Sequence, residues 1–224
     1  YVDIHKGMLH YAKENPAKLE VVEVIYAEVQ PTDLTQQVNR LARKGAEVIQ
    51  IQTNTAAVVA TQRALQALGK SNIPIMMSAH NSLQASGKAI GGMQQLEGRY
   101  EAYGMAVPTG EKSMASDFHQ MLRDKHKMNA NFNVPCLMGM SQAFVAVRAI
   151  EFAVKDSGGK KIDGDAVRAA LLKHQIPTGQ SFGVLPDLKY TEEAPFPIEG
   201  LSVNIGTVEN GKYRSVATQV PVPK

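Results

Sequence analysis

Apolar residues recur along the chain with two alternating periods. In the stretch PTDLTQQVNRLARKGAEVIQIQTNT, residues 31–55, Leu34, Val38 and Leu41 fall on one helical face, with Asp33 where an N-cap would stand and Gly45 where a left-handed stop would. Val48-Ile49-Gln50-Ile51 then reads as a short strand, and Thr53-Asn54-Thr55 opens the next helix at its carboxyl end. That helix is predicted over 55–68 with Gly69 as its stop, and a strand over 75–77 follows Asn72 and Pro74. Upstream, Ile4, Met8 and Tyr11 mark a helix before Pro16, and the β-branched run LEVVEVIYAEV, residues 19–29, predicts a strand. Such alternation with short connections is the pattern of βαβ crossovers and a parallel sheet. Ligands bind outside the carboxyl ends of such strands, which makes residues 53–55 a candidate site before any catalytic motif is sought.

Past Met77 the pattern loosens into SAHNSLQASGKAIGGMQQLEG. YEAYGMAV, from Tyr100, reads as the next strand, and residues 111–127 return to helical period through Met114, Phe118, Met121 and Leu122. The Asn-rich NANFNVPCLMGM marks a change of organisation ahead of a long apolar helix over 141–155, whose buried face is expected to be Ala143, Val147, Ile150 and Val154. Gly158-Gly159 ends it. A further helix over 163–174 starts at Asp163 as cap and carries Val167, Leu171 and Leu172 inward, and the short strands after Pro177 include a hairpin turning at Asn210-Gly211.

Composition narrows the function classes. With 224 residues, 44% hydrophobic and 20% charged, the chain is long enough for one or two domains with real cores. The net charge of +3 is spread along it, and the one cluster, RDKHK at 123–127, lacks interleaved aromatics and reads as a solvated helix end, not a nucleic-acid contact. Cys136 is the only cysteine and stands in the apolar run VPCLMGM, as an inert packed thiol would. No run approaches the roughly 18–20 apolar residues of a membrane span. No signal peptide is visible, and a start at Tyr1 fits processing or missing upstream sequence.

Catalytic signatures are lacking: no GxSxG, HExxH, CxxC, P-loop or GxGxxG occurs. His5 and His10 do not share a helix face, and His119 and His126 read as helix-surface residues with no carboxylate to complete a metal site. Ser141 has no sequence-evident base. These features argue against an enzyme and against a histidine metal site.

The order and spacing of PTDLTQQVNRLARKGAEVI, the apolar strand after Ile73-Pro74 and the glycine-terminated RYEAYGM resemble the type I periplasmic binding proteins, specifically the branched-chain amino acid and related small-molecule receptors of ABC transporters. The resemblance covers nearly all of the chain. It implies an α/β fold of Rossmann-like lobes, parallel sheets flanked by helices, joined by a multi-strand hinge and closing on a ligand. On that plan residues 1–132 are the second ligand-binding lobe, 133–205 the C-terminal half of the first lobe, and 206–224 the terminal strands near the hinge. The first lobe is then incomplete. The chain is expected to be a fragment of a longer protein or to be completed by another chain, and the exposed face invites self-association.

The resemblance also implies candidate ligand residues. Thr53, Asn54 and Thr55 match a ligand-facing loop whose hydroxyls, amide and helix N-terminal N–H groups suit a carboxylate. Ser78, Ala79 and His80 match a second. Tyr100 and Tyr103 match a third, where the amino-acid receptors tend to place an acid for the ligand ammonium; Glu101 is the nearest acid here and alternates with the tyrosines. Three apart in a strand, the two tyrosines point to opposite faces, so one reaches the ligand and the other packs in the core. With His80, Met76 and Met140 they would suit an aromatic or apolar carboxylate. Ser141, followed by Gln142, stands where the family often has a tyrosine, which leaves room for a bulkier ligand. The implied function is the solute-binding component of an ABC transporter: it captures an amino acid, amide or aromatic carboxylate between two lobes and hands it to a membrane permease in the periplasm, without cofactor or nucleic acid. The alternative is a ligand-sensing regulatory or receptor domain of the same fold. Without the resemblance, residues 53–55 read equally well as a plain helix cap and His80 as a solvated surface residue.

Overall fold

The structure is a computed structural model that describes residues 2–160, 162–193 and 201–222, without the side chains of residues 2–4, so the expected inward placement of Ile4 lies outside the described residues. The chain divides into two compact units, Tyr1–Ala102 with Gly206–Arg214, and Tyr103–Ile205 with Ser215–Lys224.

The first unit runs α1 (Val2–Glu14), α2 (Thr35–Arg43), β1 (Ile49–Gln50), α3 (Thr55–Ala67), β2 (Ile75–Ser78) and α4 (Leu83–Ile90) into β3 (Tyr100–Tyr103), which ends at the division between the units. These three strands are parallel neighbours in the order β1-β2-β3, with Ile49 opposite Ile75 and Met77 opposite Glu101. The predicted α/β alternation is therefore present. Val38, Val58, Leu65, Ile75, Leu83 and Leu96 form a core that is all but closed to solvent. Gly45 ends α2 at φ +81°, and Ala46 N–H returns to Leu41 O at 3.1 Å, so a left-handed residue closes the helix as expected. Asp33 serves α2 from one position further out: Leu34 is the N-cap, and Asp33 Oδ1 accepts from Thr35 N–H at 2.9 Å and from its hydroxyl at 2.6 Å.

Two expectations fail here. Residues 19–29 form no strand, and Tyr26 and Val29 are 70% and 62% exposed. β-propensity is realised only where a ladder partner exists, and this segment is tied to α2 instead, through Glu23, whose carboxylate bonds Arg40 and Lys44. The strand expected over 48–51 contracts to Ile49–Gln50, because Val48 is 46% exposed and only Ile49 and Ile51 pack inward.

The second unit contains α5 (Met114–His126), α6 (Val134–Ser157), α7 (Gly164–Lys173) and the short antiparallel pair β4 (Gln175–Ile176) and β5 (Leu188–Lys189). Asp163 caps α7 as expected, accepting from Ala166 N–H at 3.0 Å. The hairpin β6 (Ser202–Glu209) and β7 (Lys212–Pro221) turns at Asn210-Gly211, both left-handed, and completes the strand order β1-β2-β3-β6-β7. Glu97 steadies that turn by accepting from both Asn210 and Gly211 N–H.

The long helix departs most from expectation. It begins at Val134, seven residues before the expected 141, because Asn133 caps it by accepting from Cys136 N–H and Pro135 sits in the first turn, where no intrahelical N–H is needed. What read as a break is a helix start. The expected inward face is also reversed: Val147, Ile150 and Val154 are 49%, 47% and 43% exposed, and Val134, Leu137, Met140, Ala149 and Ala153 are buried. α6 is apolar on several faces, so periodicity predicts the helix but not which side turns inward. An 18-residue window of this helix has mean hydropathy 1.4, long and apolar enough to cross a membrane by length and composition, although Arg148 and Glu151 interrupt its apolar run; here the helix packs against α7. Phe118 of α5 stacks on Phe182 at 4.0 Å and lies 5.5 Å from Phe144 of α6, so α5 groups with α6 in the second unit. His119, expected on the helix surface, is buried, with Nε2 2.9 Å from Ala130 O and its ring against Phe132.

Candidate functional site

Two loops leave the carboxyl ends of adjacent parallel strands in the first unit. Residues 51–54 lead from β1 into α3, and residues 79–82 lead from β2 into α4. Asn54 is the N-cap of α3 but makes no side-chain bond to its own helix; its Oδ1 lies 2.9 Å from His80 Nε2. An amide oxygen only accepts, so this assignment puts the proton on His80 Nε2. Ser78 caps the 3₁₀ turn Ala79–Asn81, and its Oγ accepts from His80 N–H at 3.3 Å. Thr53, Thr55, Ser78 and Ala79 are half-buried and His80 is exposed. The two expected ligand loops are thus brought together.

The residue that joins them was not among the candidates. Asn81 is fully buried; its amide donates to Ile51 O at 3.2 Å and Thr53 O at 2.7 Å, and its Oδ1 accepts from Ser78 N–H at 2.8 Å. Ser86 Oγ donates to Asn81 O at 2.8 Å. One side chain satisfies the backbone of both loops and fixes their spacing, which a polar group in a Ser-rich segment does not announce in sequence.

β3 separates its tyrosines as predicted. Tyr100 is half-buried beside its register partner Met76, and Glu101 and Tyr103 are buried on the alternate face. Tyr103 is 2% exposed and its Oη accepts from Thr109 N–H at 3.2 Å, which makes it the core member of the pair. Glu101 faces away from Tyr100, is fully buried, and accepts from Leu83 N–H at 2.6 Å. Its pKa is pushed up to about 7 by burial, against the Leu83 and Tyr213 hydrogen bonds that favour the carboxylate.

Met140 and Ser141 lie in the second unit. Met140 is buried, and Ser141 sits in the third turn of α6 with Oγ donating to Met138 O at 2.8 Å, so it does not open the helix as expected. Burial pushes the Cys136 thiol pKa up, and its Sγ lies 3.9 Å from Met140 Sδ, the environment of an unreactive thiol.

Chemically, the 53–55 and 78–81 loops offer hydroxyls, amides, one imidazole and the first N–H groups of α3, with no carboxylate or basic side chain among these residues. Ser78 and His80 do not form a nucleophile–base pair, since the His80 ring turns to Asn54 and Ser78 Oγ caps the turn. Among the described residues no three His, Cys, Asp or Glu side chains converge on a metal position. A depression of about 380 Å³ on this unit is lined by Pro31, Thr32, Ala56, Val59, Ala60 and Arg63; it reaches the first turn of α3 at Ala56 but none of residues 53–55 or 78–81 lines it.

A scan against protein families and a search of curated proteins returned no match. Solved structures do match. A branched-chain amino acid ABC transporter protein from Thermus thermophilus with bound valine is 20% identical, with a TM-score of 0.75 over 94% of this chain and 55% of that one. A periplasmic binding protein type 1 from Bordetella pertussis Tohama I is 18% identical, with a TM-score of 0.71 over 92% and 55% of the two chains. An ABC transporter solute-binding protein from R. palustris in complex with benzoate is 14% identical, with a TM-score of 0.66 over 94% and 54%. This chain therefore spans about half the length of the structures it matches. Parallel strands flanked by helices, a division into two units and overlap across nearly all of its residues make the same statement: the chain has the fold of the type I periplasmic binding proteins.

Proposed function

We propose that this protein is the solute-binding component of an ABC transporter, which captures a small organic molecule at its strand-tip loops and delivers it to a membrane permease from the periplasm. The observation that carries this reading is the locked pair of loops: Asn81 ties 53–55 to 78–81, and Asn54 meets His80, so a cluster of oriented polar groups stands at strand ends without a nucleophile or acid–base pair. Matched structures with valine and with benzoate support two ligand classes, amino acids and aromatic carboxylates; aliphatic amides are the third. The absence of an acid among the loop residues, with Glu101 turned away, favours a carboxylate without an ammonium group. The reading needs no cofactor and no nucleic acid.

Thermal-shift and calorimetric titrations with valine, benzoate and aliphatic amides test it. A true ligand at about 100 times its Kd adds about 2.7 kcal/mol to stability. Asn54→Ala and His80→Ala are each expected to weaken binding about ten-fold while changing stability by less than about 1 kcal/mol, as for loss of one polar contact at a partly exposed site. No response to all three classes, or measurable turnover of any of them, overturns the reading.

Self-association is proposed through α6. Val147, Ile150 and Val154 are exposed along one stripe, and burying such side chains against a second copy contributes about 1.5–3 kcal/mol each. Light scattering should show a concentration-dependent dimer that Val147→Glu with Ile150→Glu converts to monomer. A wild-type protein that stays monomeric at high concentration refutes this part.

A further inference from the structure

Asn210-Gly211 is the only Asn-Gly pair in the chain. Such a pair is chemically labile, because the glycine has no side chain to keep its backbone nitrogen from the asparagine amide. Gly211 N attacks Asn210 Cγ and gives up its proton, the side-chain nitrogen leaves as ammonia, and a succinimide ring remains. Water then opens the ring at either carbonyl. The products are aspartate and isoaspartate, in the second of which the main chain runs through the former side chain. Ring closure therefore has two demands: Gly211 must lose its N–H proton, and its nitrogen must turn toward the neighbouring side chain.

Asn210 is exposed, so water reaches it, but the backbone around it is held. Both residues are left-handed, at φ +54° and +68°, in the two-residue turn between β6 and β7. Glu97 Oε1 accepts Asn210 N–H at 2.8 Å and Oε2 accepts Gly211 N–H at 3.1 Å. One carboxylate grips both nitrogens. The segment carrying Glu97 is itself fastened to β6, since Gly98 N–H donates to Val208 O at 3.1 Å and Thr207 Oγ1 donates to Arg99 O at 2.8 Å. A Cβ on Gly211 would stand 3.5 Å from Gln94 Cβ, so the turn also rests on the Met93–Leu96 turn.

The attacking species is the deprotonated amide nitrogen. A carboxylate 3.1 Å away disfavours that anion by charge repulsion, and its hydrogen bond keeps the proton in place. It is too weak a base to take a backbone amide proton for itself. Both effects slow the attack, and the pair of bonds also resists the rotation that the attack needs.

We propose that Asn210 is the deamidation site of this protein and that Glu97 holds the reaction off. Conversion to isoaspartate adds a carbon to the main chain of a two-residue turn, which then no longer presents both N–H groups to Glu97. The hairpin tip comes away from residues 97–99 as a result. None of these residues belongs to the ligand loops, so ligand binding has no part in the test.

Native protein, folded Glu97→Gln, and native protein unfolded in guanidinium chloride are aged side by side in mildly alkaline buffer, and peptide mass spectrometry follows aspartate and isoaspartate at position 210. The native fold is expected to react at least about ten-fold more slowly than the unfolded chain, and Glu97→Gln to lose most of that margin, the rate equivalent of one charge-assisted hydrogen bond. Amide exchange along β6 should stay the same in the variant, which separates release of the turn from loosening of the hairpin. Should Glu97→Gln fail to fold, hydrogen exchange in the native protein decides, because it passes through the same amide anion: Gly211 N–H should exchange at least about ten-fold more slowly than in the unfolded chain. Equal rates in the folded and unfolded chains overturn the proposal. So does an unchanged rate in folded Glu97→Gln, or a slower one, which would mark Glu97 as a base that assists the attack.

Discussion

Replacing Asn81 by alanine is expected to lower stability by about 3 kcal/mol, the cost of leaving buried polar groups unpaired. Four bonds go at once: those to Ile51 O and Thr53 O and those from Ser78 N–H and Ser78 Oγ. The residue is fully buried, so solvent cannot replace them without the loops parting. Ligand affinity should fall by about 100-fold, more than for Asn54→Ala or His80→Ala, because both loops lose their spacing and not merely one contact. Urea denaturation monitored by circular dichroism, with calorimetry on the same variants, separates the two effects. A stability loss under about 1 kcal/mol would show that Asn81 does not fasten the loops.

Glu101→Gln is expected to stabilise the protein, but only on the alkaline side. Unfolded, the carboxyl loses its proton near 4.5; folded, it keeps it to about 7. Between those values the folded state holds a proton that the unfolded chain has lost, so the contribution is complete below the lower value, shrinks as pH rises, and is gone above the upper one. The gap corresponds to on the order of 3 kcal/mol. Glutamine stays neutral throughout, so the variant should lie within about 1 kcal/mol of the native protein near pH 5 and exceed it by up to about 3 kcal/mol near pH 9. Urea midpoints across pH measure this. Curves that run parallel from acid to alkaline pH exclude a raised Glu101 pKa.

Residues 53–55 were legible from a strand end, because a polar Thr-Asn-Thr after a buried apolar strand has few places to go in an open α/β sheet, whereas residues 78–80 followed only from the family resemblance. Their fastening was not. Asn81 reads as an ordinary polar residue, and Glu101 as the acid nearest a ligand loop, until the fold places Asn81 between two backbones and Glu101 under the start of α4. The alternation that set Tyr100 and Tyr103 on opposite faces was visible as a strand period, and the structure shows which of them is in the core, through Thr109.

By itself, the sequence determined the alternation of helices and strands, the glycine stops at Gly45 and Gly158, the Asp163 cap, the hairpin at Asn210-Gly211 and the α/β class, since all of these follow from local φ/ψ preference and hydrophobic period. Only the tertiary structure decided that residues 19–29 form no ladder, which side of α6 is buried, and where the packing divides. The reason is common to all three. Each depends on which surface a segment meets, and a β-branched run without a strand beside it, or a helix apolar on several faces, carries no local term that makes that choice.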